Sequence, residues 1–168
     1  LRLPMGDEAF RLNLMSALSA VVAVGLLFSI VQETLPESRA SRAPLIAALL
    51  LAFAPLFWGQ ALIAEVYALH MALSAAALRL ALACARKPSV ARGISLGLVY
   101  GLSLGNHLTA LLLLPALLCL AWEARRHWGA MTMGFVCGLC PYLYIPWAAA
   151  SHPAVNWGQA DSLERFVW

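Results

Sequence analysis

The sequence contains few charged residues, and this shortage excludes an ordinary soluble domain. Charged side chains make up 11% of the 168 residues and hydrophobic ones 62%, whereas a typical soluble domain is roughly 25% charged. A globule this apolar could not cover its surface with polar groups, so we expect membrane lipid to surround it. The net charge of +3 is too small to indicate nucleic-acid binding.

Candidate metal ligands are also sparse. His107 has no second histidine or cysteine at metal-ligand spacing. Cys137 and Cys140 lie within an apolar run, without the sequence context that a redox motif requires. The sequence therefore predicts no metal site and indicates no cofactor, and it leaves any need for a divalent metal open.

Long apolar runs, by contrast, fill most of the chain. A helix needs about 20 apolar residues to cross a bilayer, so we predict an all-α, polytopic bundle of transmembrane helices with about six spans. We expect residues 148–168 to form an extracytoplasmic loop and the start of an interfacial helix. Because the chain begins at Leu1 and ends at Trp168, we also expect a fragment truncated at both ends. The predicted spans lie near residues 14–31, 44–58, 61–85, 90–104, 108–122 and 128–147.

The basic residues predict the orientation of this bundle, because lysine and arginine concentrate on the cytoplasmic side of a membrane. With six spans, three basic residues (Arg2, Arg11 and Arg165) share the side of the N-terminal segment. Arg79 lies inside the third run. We therefore predict an integral protein, of a bacterial inner membrane, whose three longer loops are cytoplasmic. These loops contain Arg39, Arg42, Arg86, Lys87, Arg92, Arg125 and Arg126.

Small residues recur every four positions in two of the runs. Gly93, Gly97, Gly101 and Gly105 form one such series, and the last run carries another over residues 130–138. Small residues at this spacing let helix backbones approach closely. We therefore predict that these faces pack inside the bundle.

Several polar residues fall on the predicted extracytoplasmic side, although long stretches of sequence separate them. Glu65 is the only acidic residue inside a predicted span, about one turn from its start, and such a group by default indicates a functional site. A carboxylate that merely complements a helix N-terminus is the alternative. Asn106 and His107 interrupt the apolar pattern, and His107 could bind a phosphate, donate a proton or cap a helix. The other candidates for a substrate cleft are Gln60, Tyr67, Asn156 and Trp157.

Tyr67 and His70 lie three residues apart, so they share a helix face. We interpret both as core residues, although Tyr67 is kept among the cleft candidates and His70 is not. Gathering polar groups on one face is what a membrane-embedded active site or a substrate gate requires.

Seven short segments, in this order, resemble a family of bacterial multi-pass membrane proteins long labelled as a domain of unknown function. Its eukaryotic relatives are protein O-mannosyltransferases that act on IPT domains of plexin-type receptors. The resemblance covers nearly the whole chain. The segments are Gly6-Asp7, Arg11–Ala17, Trp58, Glu65–Leu69, Gly101–Thr109, Pro141–Tyr144 and Asn156–Gly158.

This resemblance implies the GT-C type of glycosyltransferase, which takes a sugar from a polyprenyl-phosphate donor at the extracytoplasmic face. The acceptor would be a protein or another molecule with a free hydroxyl. In the family, the catalytic base belongs to a loop with an acidic motif and a His-Pro-Pro-Gly-like run, and neither is found here. We therefore expect the catalytic residues to lie outside this chain, and we do not assign the base to Asp7 or Glu8.

Two other classes of protein stay open. Helices broken near a polar site are also typical of transporters and lipid-carrier flippases, although those usually place polar residues near the midplane. A non-catalytic membrane subunit is the third possibility, and Glu65 and His107 count against it.

Overall fold

The computed structural model describes residues 6–35, 42–151 and Ser162, and within these ranges it contains helices but no strand. Helices are expected in lipid because they satisfy every backbone polar group internally. Three 3₁₀ segments, Leu108–Leu113, Trp122–His127 and Cys140–Leu143, connect some of the α-helices. The α-helices are α1 (Glu8–Thr34), α2 (Ala43–Ala52), α3 (Pro55–Leu62), α4 (Val66–Arg86), α5 (Val90–Asn106), α6 (Leu114–Leu120), α7 (Trp128–Gly138) and α8 (Tyr144–Ala149).

The predicted all-α membrane bundle is confirmed. In the described residues, three helical stretches are long and apolar enough to cross a membrane: Glu8–Thr34, Val66–Arg86 and Trp122–Ala149. A fourth span is possible if α2 and α3, which are bent by 60° against each other, count together. The helix Val90–Asn106, with 17 residues, is at the lower limit for a crossing, and the apolar helix Leu108–Leu120 is shorter than one. The number of spans therefore stays a prediction, since six were expected.

Two breaks in the backbone fall where the apolar pattern is continuous. Pro55 begins α3, and the preceding Ala54 is extended, as residues before proline prefer to be. The helix then ends at Leu62 and α4 begins at Val66. The expectation that Glu65 lies one turn inside a helix is therefore wrong. Glu65 is the extended N-cap residue of α4, because a break of three residues leaves the apolar pattern unchanged.

The glycine series packs inside the bundle, as predicted, and its partner is the small-residue face of α7. A methyl group built on Gly97 would lie 1.9 Å from the carbonyl oxygen of Met131, and one on Gly134 would lie 2.1 Å from that of Ile94. Both distances are far shorter than any real carbon–oxygen contact. The two backbones thus touch where a larger residue could not fit.

The helices α1 and α4 run side by side in the same direction. Near their N-terminal ends, Ser16 of α1 and Val66 of α4 line a common cavity. Near their C-terminal ends, the Glu33 carboxylate accepts hydrogen bonds from Arg79 and Arg86, each at 2.8 Å. This second contact gives an ion-pair partner to Arg79, the arginine inside the third predicted span. The polar residues of the predicted cleft lie at the opposite, N-terminal end of α4.

Candidate functional site

The candidate site lies where the start of α4 meets the end of α5. Asn106 is the last residue of α5, and its Nδ2 donates to the backbone carbonyl of Val66, in the first turn of α4, at 3.1 Å. This bond crosses from one helix to the other. It therefore fixes the level at which the residues after Asn106 approach α4.

His107 both ends α5 and begins the next helical segment. Its backbone N–H donates to the carbonyl of Ser103 at 3.0 Å, which completes the last turn of α5. Its ring nitrogen Nδ1 accepts from the backbone N–H of Thr109 at 3.3 Å, which caps the 3₁₀ segment. Of the roles open to His107, capping is therefore present in the structure. It uses only one of the two ring nitrogens.

The Thr109 hydroxyl links two histidines from different parts of the chain. Its Oγ1 lies 2.7 Å from Nδ1 of His107 and 3.2 Å from Nε2 of His70. The two imidazole rings are 5.2 Å apart, and the ring of Tyr67 lies 5.7 Å from that of His107. We call Tyr67, His70, Asn106, His107 and Thr109 the polar cluster.

A cavity of about 560 Å³ adjoins the polar cluster and is lined by residues of α2, α3, α4 and the α2–α3 turn. Its polar lining residues are Gln60, Tyr67 and His70, and most of the others are apolar. Gln60 Oε1 and His70 Nδ1 are buried, and neither has a hydrogen-bond partner within the described ranges. An unpaired buried acceptor costs free energy, so these two atoms indicate that this wall is suited to a ligand with hydrogen-bond donors.

A second cavity, of about 230 Å³, lies between α1 and the start of α4. Its polar lining consists of Ser16, Ser19, Glu65 and Asn106. The Glu65 side chain makes no capping hydrogen bond, although it stands at a helix N-terminus where a carboxylate is favoured. The carboxylate can accept hydrogen bonds from the hydroxyl groups of a ligand, and the two serine hydroxyls and the amide can either accept or donate.

The structure brings five of the seven predicted cleft residues to one end of α4. Gln60 and Tyr67 line the larger cavity, Glu65 and Asn106 the smaller one, and His107 lies in the polar cluster. Their participation in a cleft stays a prediction. Asn156 and Trp157 fall outside the described residues.

Two residues of the polar cluster were not among the predicted cleft residues. His70 was interpreted as a core residue, although its spacing of three from Tyr67 already placed both on one helix face. Thr109 follows His107 by two residues, and nothing in the sequence shows that its hydroxyl reaches α4. The packing of α5 against α4, which includes the hydrogen bond from Asn106 to Val66, sets that distance.

The described residues contain no group of three or more histidine, cysteine, aspartate or glutamate side chains placed to hold a metal ion. What the arrangement offers instead is imidazole, amide, carboxylate and hydroxyl groups beside two cavities. These groups bind neutral or anionic ligands through hydrogen bonds.

Comparison with known proteins gives a family. Residues 2–130 match the family model described as the protein O-mannosyl-transferase TMEM260 N-terminal domain. The chain is 29% identical over 177 residues to the mouse protein named protein O-mannosyl-transferase TMEM260, an alignment that covers 98% of this chain and 25% of the relative. The chain thus spans a quarter of the length of that relative. No solved structure matches.

Proposed function

Because the chain belongs to the family of the protein O-mannosyl-transferase TMEM260 N-terminal domain, we propose that it forms part of a membrane glycosyltransferase. The proposed reaction transfers a mannose-like sugar from a polyprenyl-phosphate donor to a hydroxyl group, on a protein or another acceptor. The single observation that carries the proposal beyond family membership is the gathering of polar side chains at one end of α4. There they line two cavities in an otherwise apolar bundle.

The proposed orientation places this polar end on the extracytoplasmic side of a bacterial inner membrane. Arg79 and Arg86, at the other end of α4, lie toward the side that carries most of the basic residues, and basic residues favour the cytoplasm. A polyprenyl phosphate lies in lipid with its head group at the interface. A cleft at the end of a membrane helix can therefore receive the sugar while the lipid chain stays in the bilayer, which is the GT-C arrangement.

The proposed chemistry is a single group transfer. The acceptor oxygen forms a bond to the anomeric carbon, the bond from that carbon to the phosphate oxygen breaks, and a general base takes the hydroxyl proton. Polyprenyl phosphate leaves with the electron pair of the broken bond. We assign no residue of this chain as the base.

Within that scheme, the residues described here bind and orient. Asn106 and His107 carry hydrogen-bond donors suited to the leaving phosphate, since donors aimed at developing negative charge stabilise it. Glu65 and Gln60 carry acceptors suited to sugar or acceptor hydroxyls. Tyr67 offers a ring beside His107, on which the apolar face of a sugar can stack.

A transporter or lipid-carrier flippase is the second candidate, and the broken helices favour it. The α2–α3 pair is bent by 60°, and α5 ends in the polar cluster at His107. Discontinuous helices of this kind form the substrate sites of many transporters. A transporter would move a polyprenyl-linked sugar without making a new glycosidic bond, so an assay of bond formation separates the two.

The test uses the full-length protein that contains this chain, in membranes supplied with radiolabelled polyprenyl-phosphate mannose. We expect label on protein, and we expect Glu65→Gln and His107→Asn to lower transfer by about 100-fold. Asparagine is chosen for His107 because its side-chain oxygen can still cap the 3₁₀ segment. Glu123→Gln, the same chemical change at an exposed position at the other end of the bundle, is the matched control and should leave transfer unchanged.

If the folded wild-type protein transfers no sugar from polyprenyl-phosphate mannose or glucose, the enzyme proposal fails and the transporter gains support. If transfer occurs but Glu65→Gln and His107→Asn behave like Glu123→Gln, the protein is an enzyme whose cleft lies elsewhere.

A further inference from the structure

The Thr109 hydroxyl has one proton to share between two histidine nitrogens. Its Oγ1 is within hydrogen-bond distance of Nδ1 of His107 and of Nε2 of His70. A hydroxyl donates one hydrogen bond and can accept others. At least one of the two imidazoles must therefore donate an N–H to Thr109, and the question is which one.

The backbone N–H of Thr109 shows which nitrogen of His107 carries the proton. This N–H points at Nδ1 of His107, at 3.3 Å. A proton on Nδ1 would face this N–H, so Nδ1 must hold a lone pair. The Thr109 hydroxyl then donates to the same lone pair at 2.7 Å, and the proton of the neutral His107 ring lies on Nε2.

With its proton directed to His107, Thr109 can only accept from His70. Nε2 of His70 must then carry a proton, and the Nδ1 atom of a neutral His70 holds the lone pair. That Nδ1 is the buried atom that has no partner in the described part of the chain. It belongs to a residue that lines the 560 Å³ cavity together with Gln60.

We propose that Thr109 is a positioning residue that holds the two histidines with opposite hydrogen-bonding character. His107 presents a donor at Nε2, and His70 presents an acceptor at Nδ1. The cavity beside His70 then takes a ligand hydroxyl, which can donate to Nδ1 of His70 or to Oε1 of Gln60, rather than a fully ionised phosphate, which has no hydrogen to donate. The identity of that hydroxyl, on the sugar or on the acceptor, rests on the proposed function.

The test measures which ring nitrogen carries the proton. We would label histidine with ¹⁵N in the full-length protein in lipid nanodiscs and record solid-state NMR spectra, in which protonated and unprotonated ring nitrogens are well separated. Spectra of His70→Gln and His107→Asn assign the signals. We expect both wild-type rings to be protonated at Nε2 only. Thr109→Val removes the hydroxyl at nearly constant shape, so His70 should lose its single tautomer, and Thr109→Ser should restore it. His107 should stay protonated at Nε2 in both variants, because the backbone N–H of residue 109 still faces its Nδ1.

A proton on Nδ1 of His107 in the wild type would overturn the proposal, and so would a Thr109→Val spectrum identical to that of the wild type. Thermal stability of the Thr109→Val protein in the same nanodiscs is recorded in parallel. If that variant unfolds, the wild-type tautomers and the Thr109→Ser spectrum still test the proposal.

The readout is independent of the proposed function. Absence of sugar transfer would contradict the proposal that the protein is an enzyme, but it would not change the expected tautomers. Wild-type tautomers other than those expected would contradict the positioning role of Thr109, even if sugar transfer were observed.

Discussion

Both ends of α4 carry polar side chains, but the hydrogen-bonding needs of these side chains are met differently. At the C-terminal end, Glu33 accepts hydrogen bonds from Arg79 and Arg86, so the carboxylate and both guanidinium groups have partners. At the N-terminal end, acceptors of Gln60 and His70 are buried beside a cavity without a partner in the described residues. Polar groups that only hold a fold together are normally paired. We therefore interpret the C-terminal end as a structural contact and propose the N-terminal end as a ligand site.

The largest expected effect separates the two ends by function. His107→Asn should lower sugar transfer by about 100-fold, because it removes the ring nitrogen that does not take part in the cap. Arg79→Gln, at the other end, should leave transfer per folded molecule unchanged. Initial rates, normalised to the amount of folded protein, check both. A loss of transfer for Arg79→Gln alone would reverse the assignment of the two ends.

The next effect concerns the scaffold that supports the polar end. Gly97→Ala should destabilise the protein by about 2–3 kcal/mol, because the new methyl group overlaps the backbone of α7. Gly129→Ala in α7 is the matched control, since nothing lies within 4 Å of its added methyl group. This control should be neutral or more stable by up to about 1 kcal/mol. Unfolding by a titration of denaturing detergent in mixed micelles measures both, and equal stabilities would contradict the close packing of α5 and α7.

A smaller effect is expected at the paired end. Glu33→Gln should cost about 1 kcal/mol, because both arginine side chains remain partly exposed and can find water. In a double-mutant cycle with Arg86→Gln, the coupling should be positive but below about 1 kcal/mol. The same detergent titration gives these values. A coupling of zero would show that the ion pair does not contribute to folding.

The smallest effect is expected at the start of α1. The Asp7 carboxylate accepts from the backbone N–H of Phe10 at 2.7 Å and so caps the helix. Asp7→Ala should therefore cost about 1 kcal/mol, whereas Asp7→Ser, which keeps a capping oxygen, should cost only a few tenths. Sugar transfer should be unchanged in both variants. A loss of transfer in the Asp7→Ser variant would show that Asp7 acts in the reaction and is more than a cap.

Much of the fold could be predicted from composition and spacing, because both act through local rules. The shortage of charge predicted a membrane bundle, and the glycine spacing predicted that two helix faces pack inside it, because residues four apart share a helix face. Only the structure showed that these two faces pack against each other, α5 on α7. The helix breaks were harder. A helix break over residues 63–65 makes Glu65 an N-cap and not a residue inside a helix, although the apolar pattern stays continuous.

The candidate site was predicted in part for the same reason. The sequence by itself predicted that Glu65, Asn106 and His107 share one side of the bundle, because chain direction alternates from helix to helix, but it placed Glu65 inside a helix and not at its end. Only the tertiary structure decided that Thr109 reaches both His70 and His107, and that Glu33 pairs with Arg79 and Arg86. These contacts depend on the relative height and rotation of neighbouring helices. Packing of whole helix faces fixes both, and no short stretch of sequence encodes them.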